Sequence, residues 1–256
     1  MDGKGTRLEE IEHDFGINKS RMMAKLDYIQ SATGLFLALF VWAHLFLESS
    51  ILLGKDAMYN VSKLLEGEFV FGEPYPIIIT IIAIIIGLIL FVHAVVAARK
   101  FPGSYKQYKV FKSHTLRMNH LDTKLWFIQV ATGFVLFFTA TVHIYVVMSH
   151  PAEIGPYLSS DRMIKEWMLP LYVLLLITSV LHANIGFYRL SIKWGWFEGK
   201  NAKKSRKILQ KIRNISIVFF IGLGLLSIFN YAKIGLEDTR PHTGERYIPT
   251  HETEVK

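Results

Sequence analysis

Cysteine is absent from the 256 residues of this sequence. Disulfide bonds, cysteine-ligated iron–sulfur clusters and the C-x-x-C-H attachment of c-type haem are therefore excluded. Proline is scarce, with 8 residues, and Pro170 stands near the start of a long apolar run rather than at its centre. The first 27 residues are polar and charged and lack the apolar stretch of a signal peptide.

Long apolar runs are what the sequence has instead, and hydrophobic residues make up 51% of it. A membrane core of about 30 Å needs roughly 20 apolar residues in a helix, and such runs satisfy their backbone groups in lipid as helices. We therefore predict an all-α fold, a single integral membrane bundle with a polar N-terminal segment, 1–27, and a loosely ordered polar tail, 236–256. The five predicted spans are 28–52, 77–98, 125–148, 167–192 and 208–231.

The formal net charge of +8 is carried largely by short loops between the apolar runs. A basic balance can indicate nucleic-acid binding, but this distribution favours a topological role and no nucleic-acid partner. The loops after the second and fourth runs are the richest in lysine and arginine. The positive-inside rule then predicts a cytoplasmic N-terminus and a C-terminus on the opposite side, with lipid around the bundle.

One histidine falls in each of the first four runs: His44, His93, His143 and His182. An ionisable residue inside a span is costly and is a functional hypothesis by default. The alternative is a neutral histidine hydrogen-bonded to a neighbouring helix, which four consecutive runs disfavour. A tetrahedral zinc site is also disfavoured, because the four positions do not converge on one point.

Depth in the membrane pairs these histidines. His44 and His143 lie near the ends of outward-running spans, so both fall in the outer half. His93 and His182 lie in the second half of inward-running spans, so both fall in the inner half. At about 1.5 Å of rise per residue, each pair can share one depth. The sequence thus predicts two b-type haems with bis-histidine ligation, one from each pair.

A repeated pattern, Q-x-A-T-G-x9-H, supports the outer pair. It begins at Gln30 and ends at His44, and it recurs from Gln129 to His143. We expect the glycines of the pattern, Gly34 and Gly133, to let a porphyrin approach the backbone. Close packing between helices is the compatible alternative.

The sequence resembles the dihaem cytochrome b subunit of quinol:fumarate reductases and succinate:quinone oxidoreductases over nearly its whole length. The segments that carry the resemblance are KLDYIQSATGLF, RKFP, WMLPLY and YRLSIKWGWF, at 25–36, 99–102, 167–172 and 188–197. It implies a bacterial cytoplasmic (inner) membrane protein with a periplasmic C-terminus. In anaerobic respiration such a subunit oxidises menaquinol and passes electrons through two haems b to an iron–sulfur subunit and a flavoprotein subunit. Fumarate reduction takes place on a partner, and a dimer of heterotrimers is compatible with the resemblance.

The resemblance also implies roles for residues around the haems. The positions that match the inner propionate contacts are Gln30, Ser31, Trp126 and Lys193. Arg162 and Tyr172 match positions at the outer haem. Cationic and hydrogen-bonding groups suit propionates. Snorkelling to lipid headgroups is the alternative for Lys193 and Arg162.

Glu66, after the first span, matches the acidic residue at the family's quinol site, where a base would accept a proton. The alternative is a solvated interfacial carboxylate. The chain departs from the family two residues before the fourth histidine. Some members have a glutamate there, which is thought to carry protons, whereas this chain has Val180. Valine cannot relay a proton, so we expect that route to be missing or replaced.

Three alternative functions remain at this stage. The same subunit could serve a succinate dehydrogenase that reduces menaquinone, because the sequence does not set the direction. A b-type anchor of a hydrogenase or formate dehydrogenase is a second alternative. A transporter with histidine proton relays is the third, and the lack of helix-breaking prolines at mid-span disfavours it.

Overall fold

Five long helices cross the molecule in a computed structural model that describes residues 5–101, 103–117, 120–237 and 246–249. Each is long and apolar enough to span a membrane. The predicted all-α fold with five membrane helices is confirmed. The helices are α1 (Gly5–Glu48), α4 (Ile77–Ala98), α6 (Leu121–Ser149), α8 (Leu169–Trp194) and α9 (Ala202–Leu236).

Several of these helices extend beyond the apolar runs, because hydrogen bonding continues where lipid contact ends. Helix α1 already begins at Gly5, within the predicted polar N-terminal segment, 1–27. Helix α9 begins in a basic stretch, where the Asn201 side chain accepts a hydrogen bond from the Lys204 amide at 3.0 Å and caps the helix. Helix α8 ends at Gly195, whose φ of 67° is the left-handed conformation that glycine adopts most easily.

The two ends of the bundle differ. One end, called here the capped end, is covered by the 3₁₀ turns Ser49–Leu53 and Pro151–Glu153 and by three short helices. These are α2 (Lys55–Leu65), α3 (Glu68–Phe71) and α7 (Pro156–Ile164). The other end, called the basic end, contains α5 (Tyr105–Arg117) and the loop between α8 and α9. By the positive-inside rule, the capped end is predicted to lie on the outer side of the membrane.

Helix α8 is the centre of the bundle and packs against α1, α6 and α9, while α4 packs against α1 and α6. The buried face of α8 includes Leu176 and Val180, which form an apolar cluster with Phe220. Large apolar side chains on the outer faces are exposed, such as Ile85 and Leu88 of α4. Lipid is the solvent that suits such a surface.

Residues 246–249 of the C-terminal tail pack against the capped end. For these residues the structure differs from the expected loosely ordered tail. Tyr247 packs edge-on against Tyr157 and Tyr59, with ring centroids 5.1 Å and 6.1 Å away. Its hydroxyl donates a hydrogen bond to Asp56. Burial, followed by this hydrogen bond, raises the pKa of Tyr247 to about 12. The rest of the predicted tail beyond 237 lies outside the described residues.

Candidate cofactor site

The four span histidines stand in two facing pairs inside the bundle. His44 of α1 faces His143 of α6, with ring centroids 6.1 Å apart. His93 of α4 faces His182 of α8, with ring centroids 6.4 Å apart. The first pair lies toward the capped end and the second toward the basic end. Four separate helices are therefore needed to build the two pairs.

The spacing within each pair matches two imidazoles on opposite sides of one metal ion. A metal–nitrogen bond of about 2 Å, plus roughly 1.1 Å from nitrogen to ring centre, on each side of the metal gives centroids about 6.2 Å apart. Both measured distances lie within 0.2 Å of that value. Nowhere in the described residues do three or more metal-ligating side chains cluster. Two donors per site are compatible with a haem, because its macrocycle supplies four nitrogens of its own.

A cavity of about 1160 Å³ connects the two pairs, and all four histidines line it. Sites for one small ligand usually have roughly 300–1,000 Å³, so this cavity exceeds that range. Most of its other lining residues are apolar or small, such as Ala38, Ile86 and Leu136. The interior thus offers a large apolar space whose polar groups are concentrated at the histidines and at its two ends.

The pair toward the basic end is oriented by hydrogen bonds from Nδ1. His182 Nδ1 donates to the Gln129 carbonyl at 2.9 Å. His93 Nδ1 lies 3.0 Å from the Thr33 hydroxyl, which gives its own proton to the Ile29 carbonyl and therefore accepts. Such contacts fix the tautomer and leave Nε2 as the free ligand atom. Toward the capped end, His143 Nδ1 is buried without a partner among the described residues.

The glycines of the repeated pattern lie against these same imidazoles. A Cβ on Gly34 would lie 2.9 Å from His93 Cε1, and one on Gly133 would lie 2.7 Å from His182 Cε1. Real Cβ atoms do not approach other atoms so closely. The glycines therefore make room for the histidine of a neighbouring helix, which differs from the expected approach of a porphyrin. The glycines of the repeated pattern therefore lie against the His93–His182 pair. The last residues of the pattern, His44 and His143, form the other pair.

The residues expected at the inner haem all line the basic end of the cavity: Gln30, Ser31, Trp126 and Lys193. Lys193 Nζ lies 3.2 Å from Ser31 Oγ and 3.5 Å from an Asp27 carboxylate oxygen. Trp126 packs against Phe111 of α5 at 4.7 Å. Gln30 Oε1 is buried with no partner in the described part of the chain. This set provides a cation and an open hydrogen-bonding group beside the His93 pair.

Sequence reasoning missed two cations at the same end of the cavity, Arg189 and Lys100. The signal for Arg189 was its position within the predicted span 167–192, where a charged side chain is costly. Lys100 was counted only as a loop charge, yet it forms a 3.0 Å ion pair with Asp27. Asp27 also forms an ion pair with Arg99, so one carboxylate binds several of the cations at this end.

Arg162 and Tyr172 line the cavity toward the capped end. Arg162 is 4% exposed and forms a 3.1 Å ion pair with Glu153. The Tyr172 ring lies 5.8 Å from that of His143, with the two planes nearly perpendicular. Because Arg162 is buried among protein atoms, snorkelling to lipid does not describe it.

Glu66 lies in the interior of the capped end and is 0% exposed. Its carboxylate pairs with Lys63 at 3.1 Å and with Arg246 of the C-terminal segment. It also lines the cavity. The alternative of a solvated interfacial carboxylate is therefore excluded.

Five apolar helices with facing imidazole pairs around an interior cavity define an integral membrane protein of the b-type cytochrome class. The profile of the succinate dehydrogenase/fumarate reductase transmembrane subunit family matches residues 106–223. The chain is 48% identical over 230 residues to the fumarate reductase cytochrome b subunit of Wolinella succinogenes, covering 90% of each chain. It is 49% identical over 223 residues to the subunit of the same name from Helicobacter pylori, covering 87% of this chain and 86% of the relative. The chain belongs to the family of fumarate reductase cytochrome b membrane subunits.

Proposed function

We propose that this chain anchors a fumarate reductase in the membrane, oxidises menaquinol and conducts the electrons to its partner subunits. The observation that carries the proposal is the spacing of the two imidazole pairs, 6.1 Å and 6.4 Å between ring centroids. When bound, a b-type haem in each pair supplies a one-electron redox centre. His44 with His143 would hold one of these groups, and His93 with His182 would hold the other.

The remaining cavity residues bind and orient the two groups. Lys193, with Gln30, Ser31 and Trp126, suits the propionates at the basic end, because a cation and hydrogen-bonding groups meet there. Arg162 and Tyr172 would serve the group at the capped end. The hydrogen bonds on the Nδ1 atoms of His93 and His182 hold those rings in position before any ligand arrives.

Menaquinol would react toward the capped end, where Glu66 lines the cavity. Oxidation of a hydroquinone releases two protons, and a positioned carboxylate can accept one. Burial keeps Glu66 out of bulk water, so its proton would come from the substrate rather than from solvent. The ion pairs with Lys63 and Arg246 fix the position of its carboxylate.

The basic end would receive the iron–sulfur and flavoprotein subunits on the cytoplasmic side of a bacterial inner membrane. Helix α5 offers exposed cations there at Lys106, Lys109 and Lys112. In this orientation the C-terminal segment at the capped end is periplasmic. The same anchor running in reverse, in a succinate dehydrogenase that reduces menaquinone, uses the same residues. An anchor of another respiratory dehydrogenase would require different partners.

Haem stoichiometry of the purified complex tests the proposal. A pyridine haemochrome assay should give two haems b per chain, and the complex should oxidise a reduced menaquinone analogue with fumarate as acceptor. One haem per chain, or none, would contradict the assignment of two histidine pairs. Full haem content without menaquinol oxidation would remove the quinol role and leave a b-type anchor.

A further inference from the structure

Two carboxylates reach the cavity from the capped end, Glu66 and Glu48. The proposed function assigns a role only to Glu66. Glu48 is the last residue of α1 and lies four residues after His44. Residues four apart share a helix face, so Glu48 and His44 both face the cavity. The carboxylate thus lies one helical turn beyond a candidate ligand.

The two carboxylates differ in what balances their charge. Glu66 has two cationic partners, Lys63 and Arg246, and is fully buried. Glu48 is half-buried, and its Oε2 accepts a hydrogen bond from the Tyr231 hydroxyl at 3.3 Å. Among the residues that the structure describes, Glu48 has no cationic partner within ion-pair distance. Adding a proton to Glu48 therefore disrupts no ion pair among the described residues, whereas adding one to Glu66 weakens its ion pairs with Lys63 and Arg246.

Tyr231 holds Glu48 in a defined place. It is 3% exposed and packs in an apolar cluster with Ile51, Met58 and Met163 under the short helices. A rigid neutral donor of this kind orients a carboxylate without neutralising it. Since Glu48 is half-buried between the cavity and the capped end, it can exchange a proton with either.

We propose that Glu48 is the second proton acceptor in menaquinol oxidation. This proposal rests on the proposed function. The two O–H bonds of the hydroquinone break, and the ring becomes the quinone. Its two electrons would leave one at a time, and the one-electron acceptor would be the redox group that His44 and His143 would hold. One proton goes to Glu66 and the other to Glu48, which passes it to water at the capped end. Two carboxylates in unlike surroundings match the two protons that the reaction must release.

Kinetics of the intact complex with its partner subunits test the role. Glu48→Gln keeps the size of the side chain and an oxygen that accepts from Tyr231, but it cannot take a proton. With a reduced menaquinone analogue as donor, we expect kcat to fall by about 100-fold, in the range of lost general-base catalysis, and KM to change little. A dye that reduces the partner subunits directly should give the wild-type rate. Glu237→Gln, at an exposed carboxylate near the end of α9, is the matched control and should leave both rates unchanged.

Infrared difference spectra give a readout that a structural role would not move. On adding the reduced analogue, the wild-type complex should show the C=O stretch of a newly protonated carboxyl group. That signal should shrink in Glu48→Gln and stay unchanged in Glu237→Gln. A Glu48→Gln complex with wild-type kcat, or with an undiminished carboxyl signal, would overturn the proposal.

The outcomes separate this proposal from the proposed function. A wild-type complex that does not oxidise the analogue at all defeats the proposed function itself. A wild-type complex that does, alongside an equally fast Glu48→Gln complex, defeats only the role of Glu48. If Glu48→Gln fails to assemble, Tyr231→Phe decides, because it removes the orienting hydroxyl and keeps the ring. We expect a several-fold lower kcat at unchanged KM, and an unchanged kcat would overturn the proposal.

Discussion

Imidazoles in the bundle differ in what holds their second ring nitrogen. Toward the basic end, Nδ1 of His93 donates to the Thr33 hydroxyl and Nδ1 of His182 donates to the Gln129 carbonyl. Toward the capped end, His143 Nδ1 is buried without a partner in the described residues. A ring held through Nδ1 keeps its orientation and is a more basic ligand. The two pairs are thus built with unequal support, which gives each pair its own sensitivity to mutation.

Replacing His143 with alanine removes one member of the pair toward the capped end. We expect the purified complex to lose one of its two haems b in a pyridine haemochrome assay, because a single imidazole is left at that site. His120→Ala is the matched control, since His120 lies at the start of α6 and outside both pairs. Retention of both haems in His143→Ala would contradict the pairing.

Gly133→Ala acts on the other pair without touching a ligand. The new methyl group would lie 2.7 Å from His182 Cε1 and 3.0 Å from Nδ1, so the ring has to turn. We expect weaker retention of the haem at the His93 pair and a changed spectrum for it, with destabilisation of about 1–3 kcal/mol from overpacking.

Gly222→Ala is the matched control for that substitution. It adds the same methyl group in α9, where the added Cβ would meet nothing within 4 Å beyond its chain neighbours and the local helix backbone. Thermal unfolding monitored by haem absorbance compares the two variants. Equal stability and equal spectra would show that Gly133 does not seat the imidazole.

At the scale of helices, hydropathy predicted which segments cross the membrane, because lipid contact imposes long apolar runs. The depth argument also brought His44 toward His143 and His93 toward His182, since helix rise fixes height. Height does not determine which face of a helix turns inward. The sequence therefore predicts a porphyrin next to Gly34, whereas the structure places the His93 ring there.

Contacts between distant segments were beyond sequence reasoning. Arg246 and Glu66 are 180 positions apart, and no local pattern connects them. The sequence likewise does not predict the short helices of the capped end, because they are amphipathic and too short to give a hydropathy signal.

Tyr247 and Arg246 both hold the C-terminal segment against the capped end. Tyr247→Ala removes two ring contacts and the hydrogen bond to Asp56. We expect the segment to detach, which limited proteolysis of the detergent-solubilised complex should reveal as faster cleavage near residue 246. Ile248→Ala is the control in the same segment, because Ile248 is 55% exposed. Equal cleavage rates for the two variants would contradict the fastening role.

Across the whole molecule, the two ends of the cavity differ in the charged and polar side chains that they contain. Cations around Asp27 collect at the basic end, and carboxylates and tyrosines collect at the capped end. In the proposed function, electrons move toward the basic end while protons leave at the capped end. Each such turnover separates charge across the membrane unless protons return through the protein. Moving one charge against 100 mV costs about 2.3 kcal/mol, so a return path would change the energetics of the whole complex.

Val180 occupies the position on α8 where some members of the resembled family have a glutamate that is thought to carry protons. Val180 is 0% exposed and packs against Leu176 and Phe220 in an apolar cluster, and its own side chain cannot carry a proton. We therefore expect proteoliposomes containing the complex to build a membrane potential while oxidising a menaquinol analogue with fumarate, measured with a potential-sensitive dye. Val180→Glu should lower that potential per turnover, whereas Val180→Gln, which is polar but cannot titrate, should not. A wild-type complex that turns over without any potential would mean that protons cross by a route other than this position on α8.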